Sequence, residues 1–177
     1  MSDTEDKDMN VTVRNTEPAI DPRELRDVLG CFATGVAVVT SIGDEGKPVG
    51  MTINSFSSVS LDPPLVLWSI GLNTPSRSAY ASHPSFAINI MCAESKDVSL
   101  HFARPSEDKF ADVDWTPGHD GVPVLGAALA TLECKVVDRI VSGDHEIYIG
   151  RVMRIDQKEG DPLLFHRGKF AHLGQLI

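Results

Sequence analysis

Hydrophobic positions recur along this chain with two different periods. Leu25, Val28, Leu29 and Phe32 follow Asp21-Pro22-Arg23-Glu24 at helical spacing. Asp21 is placed to cap, Pro22 suits the first helical position and Glu24 completes a capping box. The pattern predicts a helix that covers a sheet and stops at Thr34-Gly35. Val36-Ala-Val-Val-Thr40 is β-branched and reads as a buried strand. Gly43-Asp-Glu-Gly46 reads as a turn, after which apolar Met51 and Ile53 alternate with polar Thr52 and Asn54, so the two strands predict a hairpin. Leu65-Val-Leu-Trp-Ser-Ile70 and Phe86-Ala-Ile-Asn-Ile-Met91 predict two further strands, separated by a loop from Asn73 and a short helix through Tyr80. Ser95 stands as the cap of a helix that runs toward Ala103 and ends near Pro105, and residues 105–127 read as irregular.

Beyond that point the strand period is clear. Ala130, Leu132, Cys134 and Val136 alternate with Thr131, Glu133 and Lys135, and Ser142-Gly-Asp-His145 turns the chain into an answering strand over residues 146–155. The tail, residues 162–170, supplies a last short strand. Six or seven strands, few helices and two hairpins far apart in sequence predict a mainly β fold: a closed antiparallel barrel with helices as plugs or covers.

The least core-like stretch is residues 50–64. Ser55, Ser57, Ser58 and Ser60 crowd around Phe56, and Pro63-Pro64 ends the run. Buried hydroxyls each need a partner, and serines favour turns, so this is a strand end rich in small donors and acceptors with room for a flat ligand beside it. A Ser-rich surface loop has the same composition.

Composition narrows the function classes. The formal net charge of −9 and the lack of a basic run argue against nucleic acid, so an anionic ligand needs a locally electropositive site. No apolar run reaches transmembrane length, and the first residues lack the plan of a signal peptide. Residues 1–18 read as a disordered acidic arm before a single domain, 19–177. Cys31, Cys92 and Cys134 have no metal-ligand spacing and leave one unpaired in any disulfide scheme, which points to the cytoplasm. There is no G-x-G-x-x-G, no phosphate-binding G-x-x-x-x-G-K-[ST] and no H-E-x-x-H, so neither a Rossmann fold nor a metal site is expected.

Several segments taken together resemble a known family. Phe32-Ala-Thr-Gly-Val-Ala-Val-Val-Thr40, residues 50–64, Asn73-x-x-Ser-Arg-Ser78, Phe86-Ala-Ile-Asn-Ile90, Gly143-Asp-His145 and Pro162-Leu-Leu-Phe-His-Arg-Gly-Lys-Phe170 occur in the order found in the short-chain flavin reductases, the small components of two-component flavin-dependent monooxygenases. The resemblance covers about residues 20 to 174. It implies an antiparallel Greek-key split barrel, a homodimer with flavin near the subunit interface, and hydride transfer from NADH or NADPH to FMN or FAD. The reduced flavin then leaves for an oxygenase. Such chemistry belongs to the cofactors and needs no side-chain nucleophile.

The resemblance also implies contacts. Thr52, Asn54 and Ser55 face the polar edge of the flavin ring with backbone from Ile53 and Phe56, while Ser57 and Ser58 lie near its reactive centre. Ser76, Arg77 and Ser78 face the phosphate; an exposed arginine is the alternative for Arg77. Asn89 and Ile90 approach from the neighbouring strand, although Ile90 also suits plain core. Lys109-Phe110 borders the site. His145 faces the nicotinamide, or is a solvated turn histidine, and Arg167 and Phe170 approach the same ligand. Gly35 and Val36 line the floor, unless Gly35 only stops a helix. Three functions fit: a diffusible flavin reductase, a flavoprotein that keeps its flavin, and a non-enzymatic flavin-binding module.

Overall fold

The valine-rich run pairs with the strand that follows its turn. In a computed structural model, which describes residues 19–106 and 108–175, β2 (Ala37–Ile42) and β3 (Pro48–Ile53) form an antiparallel hairpin with Thr40 opposite Gly50. β2 also pairs with β6 (Ser85–Met91). A second hairpin joins β4 (Ser57–Leu61) to β5 (Pro64–Gly71). Among the described residues these two halves do not pair with each other. Each instead docks on a long hairpin of β9 (Ala128–Ser142) and β10 (His145–Gln157), with β6 against β9 and β5 against β10. The resulting seven-stranded antiparallel sheet runs β3-β2-β6-β9-β10-β5-β4.

Its inner face shows that it rolls up. One buried cluster takes Val39 from β2, Ile53 from β3, Trp68 and Ile70 from β5, Phe86 and Ile88 from β6, Cys134 from β9 and Tyr148 from β10. A flat sheet cannot bring its first and sixth strands onto one core, so the sheet is a barrel. Trp68 stacks on Tyr148 at 4.6 Å and meets Tyr80 and Phe86 edge-on, the geometries that ring quadrupoles favour. Gly150 leaves the space that the Phe86 ring fills. Burial pushes the Cys134 thiol up to about 12, so it packs as a small neutral group.

A second cluster lies on the barrel's outer face. Val36, Val38, Met91, Phe102, Phe110, Leu125 and Leu163 pack there beneath α3 (Lys96–Ala103). β7 (Trp115–Pro117) and β8 (Pro123–Leu125) form a small hairpin nearby, and α2 (Arg77–Ser82), which links β5 to β6 in the chain, packs against β2. β1 (Thr34–Gly35), β11 (Leu164–His166) and β12 (Lys169–Ala171) make a separate three-stranded sheet.

The predicted antiparallel barrel is therefore present, with several corrections in detail. β3 and β4 stand at the two sheet edges without pairing, so the barrel is split, as the resemblance implied, and not closed as the hairpins alone predicted. The Ser-rich stretch is itself a strand, β4, because its backbone pairs with β5 although its side chains are mostly exposed. Gly35 is not a helix stop but pairs with Leu164, since the first helix, α1 (Pro22–Leu29), has already ended at Gly30. Ser95 does not cap α3 through its side chain; its hydroxyl donates to the Ala127 carbonyl at 2.8 Å.

α1 forms as expected, with Asp21 Oδ1 accepting from Arg23 N at 2.7 Å. Its apolar stripe does not cover the sheet. Leu25, Val28 and Leu29 are exposed, and Phe32 just beyond is 79 % exposed. Helical spacing shows that a helix has an apolar face, not what lies against it. Val137, Ile140 and Val141 of β9 and Met153 and Ile155 of β10 are likewise exposed. The acidic arm lies outside the described residues. No helix among the described residues is long and apolar enough to cross a membrane.

Candidate functional site

The link over residues 54–56 joins β3 to β4 and so bridges the split between the sheet's two edges. Ser55 fastens it: its Oγ donates to the Ser69 carbonyl and accepts from the Ser69 amide, both at 3.1 Å. Phe56 packs on the barrel core, as does Ile53. Thr52 is held from the other side, its hydroxyl donating to the Ser99 carbonyl of α3 at 2.6 Å. The remaining polar groups face outward. Asn54 is exposed and its carboxamide forms no hydrogen bond among the described residues; Ser58 is exposed too, and Ser57 Oγ donates to its carbonyl at 3.2 Å.

From Ser69 the strand β5 runs two residues on to Gly71, roughly 7 Å further by strand geometry. Gly71 pairs with His145, and Leu72 N donates to the Asp144 carbonyl at 2.9 Å, so the β9–β10 turn is tied to the end of β5. His145 is half exposed, and its Nδ1 lies 2.7 Å from Asp144 Oδ1. An ionised carboxylate only accepts, so Nδ1 carries the proton and Nε2 is left for a ligand. The same bond holds the Asp144 carboxyl below the usual carboxylate range.

Beside His145, Glu146 turns inward with its side chain 7 % exposed. Its Oε2 accepts from Arg77 Nε at 2.8 Å, and Arg139 Nε stands 3.9 Å from Oε1. One carboxylate thus faces two guanidinium groups, leaving a local positive excess in an acidic protein. Ser78 is exposed, and Ser76 opens onto a cavity of about 560 Å³ shared with Gly50, Lys109 and Phe110. Lys109 Nζ donates to the carbonyls of Phe102 at 2.8 Å and Gly50 at 3.2 Å, and partial burial lowers its pKa.

The other expected residues fall on the far side of the link. Ala37 pairs with both Ile53 and Ile90, which sets Val36 and Gly35 beside the start of the link. Val36 is buried in the outer cluster, and Ile90 packs against the barrel core. Arg167 sits in the β11–β12 turn, its amide donating to Gly30 O at 2.9 Å and its Nη2 lying 3.4 Å from Cys31 Sγ. Phe170 packs edge-on to Phe165. Among the described residues no hydrogen bond or ion pair connects Arg167 or Phe170 with His145.

Asn89 requires a correction. It is fully buried, and its Nδ2 donates to Val38 O at 3.0 Å and to Thr40 Oγ1 at 3.1 Å, while its Oδ1 accepts from Leu125 N at 2.9 Å. A carboxamide so engaged has little left for a ligand. Ser55 is likewise committed through its hydroxyl to Ser69. Glu146, Arg139 and Ser69 were not singled out from sequence. Glu146 had a signal: it shares the inward face of β10 with Tyr148 and Gly150, where a carboxylate needs a partner.

The chain's sequence and fold are similar to those of known proteins. Residues 29–174 match the flavin reductase like domain. The chain is 47 % identical over 155 residues to a Rhizobium meliloti protein named probable flavin reductase, covering 88 % of this chain but 50 % of that one, so it spans about half of that relative's length. It is 43 % identical over 153 residues to the FMN reductase (NADH) SmoA of Agrobacterium fabrum, covering 86 % of this chain and 87 % of SmoA. The solved structure of flavin reductase PheA2 in its native state superposes with a TM-score of 0.81 at 40 % identity, over 88 % of this chain and 100 % of that one. With the family model matched over residues 29–174 and the fold in agreement, the chain belongs to the flavin reductase like domain family.

Proposed function

We propose that this protein is an NAD(P)H-dependent flavin reductase, passing hydride from NADH, or NADPH, to FMN or FAD and supplying the reduced flavin to a separate monooxygenase. The observation that carries this reading is the barrel rim itself. The oriented His145 imidazole stands at one end of β5, and the outward-facing Asn54, on the link, and Ser58, on β4, stand on segments fastened to the same strand. Bound flavin supplies the electron acceptor. The chain's own residues bind and orient: Asn54 with backbone from the link holds the ring edge, Ser76, Arg77 and Ser78 hold the phosphate, and His145 positions the nicotinamide. The names of the relatives support the assignment, among them an NADH-dependent flavin reductase of a Rhodococcus and the monooxygenase reductase subunit HsaB of Rhodococcus jostii.

The test is NADH and NADPH oxidation with FMN, FAD and riboflavin in turn. A rate that saturates with added flavin is expected. A bound flavin that never exchanges would instead make this a flavoprotein that passes electrons by contact, and no turnover with either nicotinamide would leave a binding module. We place the activity in the cytoplasm, in keeping with three cysteines that form no disulfide.

The active particle in this reading is a homodimer. The exposed apolar stripe of α1 and the exposed Val137, Ile140, Val141, Met153 and Ile155 supply the surface that a second copy covers. Arg167 and Phe170, which do not meet His145 within one chain, then reach the nicotinamide across the interface. Full activity in a particle shown by sedimentation to be monomeric rules this out.

Asn54 and Ser55 separate binding from scaffold. Asn54→Ala should weaken flavin binding by about 0.5–1.5 kcal/mol with little change in stability. Ser55→Ala should lower the unfolding midpoint as well, because the Ser69 amide and carbonyl lose their partner. Flavin titration and thermal melting of both variants check this; equal flavin affinity in Asn54→Ala and wild type removes Asn54 from the site.

A further inference from the structure

We infer that Glu146 is a positioning residue that holds Arg77 as a preformed fork for the flavin phosphate. The inference rests on the proposed role of Arg77 and concerns a side chain that touches no ligand. Three elements meet here: Arg77 opens α2, Glu146 lies on β10 and Arg139 on β9. Glu146 binds Arg77 through Nε alone, at 2.8 Å. That leaves the Nη1–Nη2 edge of the guanidinium without a hydrogen bond among the described residues, on a side chain that is 37 % exposed. This edge presents two parallel N–H donors, the geometry that takes two phosphate oxygens at once. Arg139 stands against the other oxygen of Glu146 and donates from Nη1 to the Ala81 carbonyl at 3.3 Å, so the carboxylate is steadied from both sides.

The arrangement has an electrostatic cost and a conformational gain. A carboxylate behind the guanidinium reduces its attraction for an anion. An arginine already fixed at Nε, however, loses less rotamer freedom when the ligand arrives. The two effects have opposite signs on removal of Glu146, and this makes the inference decidable. If Glu146 acts only through its charge, neutralising it tightens phosphate binding. If it positions Arg77, removal loosens it.

The readout is the ratio of FMN to riboflavin affinity, measured by fluorescence titration without nicotinamide. Riboflavin lacks the phosphate, so its affinity reports the ring site and the integrity of the fold. Glu146→Leu should lower the ratio by about five- to tenfold. Glu146→Gln keeps an acceptor oxygen and should lower it less. Arg77→Ala should lower it at least as far as Glu146→Leu, and adding Glu146→Leu to Arg77→Ala should change it no further. A ratio at or above wild type in both Glu146 variants, with Arg77→Ala lowered, overturns the inference alone. A wild-type ratio in Arg77→Ala overturns the phosphate role of Arg77 itself. Should Glu146→Leu not fold, the sign of the Glu146→Gln effect decides.

Discussion

His145→Ala is expected to lower kcat/KM for NADH by about ten- to a hundredfold, about 1.4–2.7 kcal/mol of transition-state stabilisation, and to leave flavin affinity near the wild-type value. The expectation follows from where the ring stands. His145 begins β10 at the turn tied to the end of β5, half exposed, so its loss opens no cavity in the barrel. The bond from Nδ1 to Asp144 fixes the ring and directs Nε2 away from the turn. An imidazole so held can keep a nicotinamide in one orientation, and orientation is worth most when the reacting atoms must approach to about 3–3.5 Å. It is not cast as a base, because a hydride leaves the nicotinamide with both electrons and hands no proton to the histidine. Asp144→Ala, which removes the acceptor for Nδ1–H, should give a smaller loss in the same direction. If the deficit lies in KM, the contact exists in the ground state; if in kcat, it forms at the transition state. Steady-state kinetics with NADH at saturating flavin measure both. Wild-type kcat/KM in His145→Ala makes the histidine a turn residue only. A variant that loses flavin as well transfers the nicotinamide role to Arg167 and Phe170.

The second large effect is on stability. Asn89→Ala should destabilise the fold by about 3–5 kcal/mol, because Val38 O, Thr40 Oγ1 and Leu125 N each lose a buried partner at once. The carboxamide ties β6 to β2 and to β8, fixing the outer hairpin to the barrel wall. Urea unfolding gives the size of the effect. Flavin titration well below the melting temperature should then show near wild-type affinity. A stable variant with weakened flavin binding would return Asn89 to the ligand.

The contrast between these residues shows what a single sequence conveys about this molecule. Both large hairpins were legible: alternation over residues 130–136 marks a strand with one apolar face, and the β-branched run at 36–40 marks a strand buried on both faces. β4 was not: an edge strand exposed on both faces needs no hydrophobic period, and its serines suggest a turn. The tail was legible as one short strand, where β11 and β12 stand, but the β1–β11–β12 sheet was hidden for another reason. Its pairings, such as Thr34 with Phe165, are two or three residues long and join distant parts of the chain. In the site, the family motifs led to the link and to the Gly143-Asp-His145 turn. They did not separate a serine that binds ligand from one that clasps a neighbouring strand, because the two differ only in tertiary partners. Asn89 was the decidable case. A lone carboxamide within Phe86-Ala-Ile-Asn-Ile-Met91, a run expected to be buried, must have its hydrogen bonds met inside the protein.

The dependence of both half-sheets on the β9–β10 hairpin has a consequence during synthesis. The ribosome releases β2, β3 and β6 as one wing and β4 and β5 as another before residue 128 has been made. Until the last third of the chain emerges, β5 and β6 each present an unpaired edge flanked by Trp68, Ile70, Phe86 and Ile88. The nascent protein is thus most prone to stray strand pairing late in translation, and slow codons or a stall before β9 and β10 have emerged should lower soluble yield.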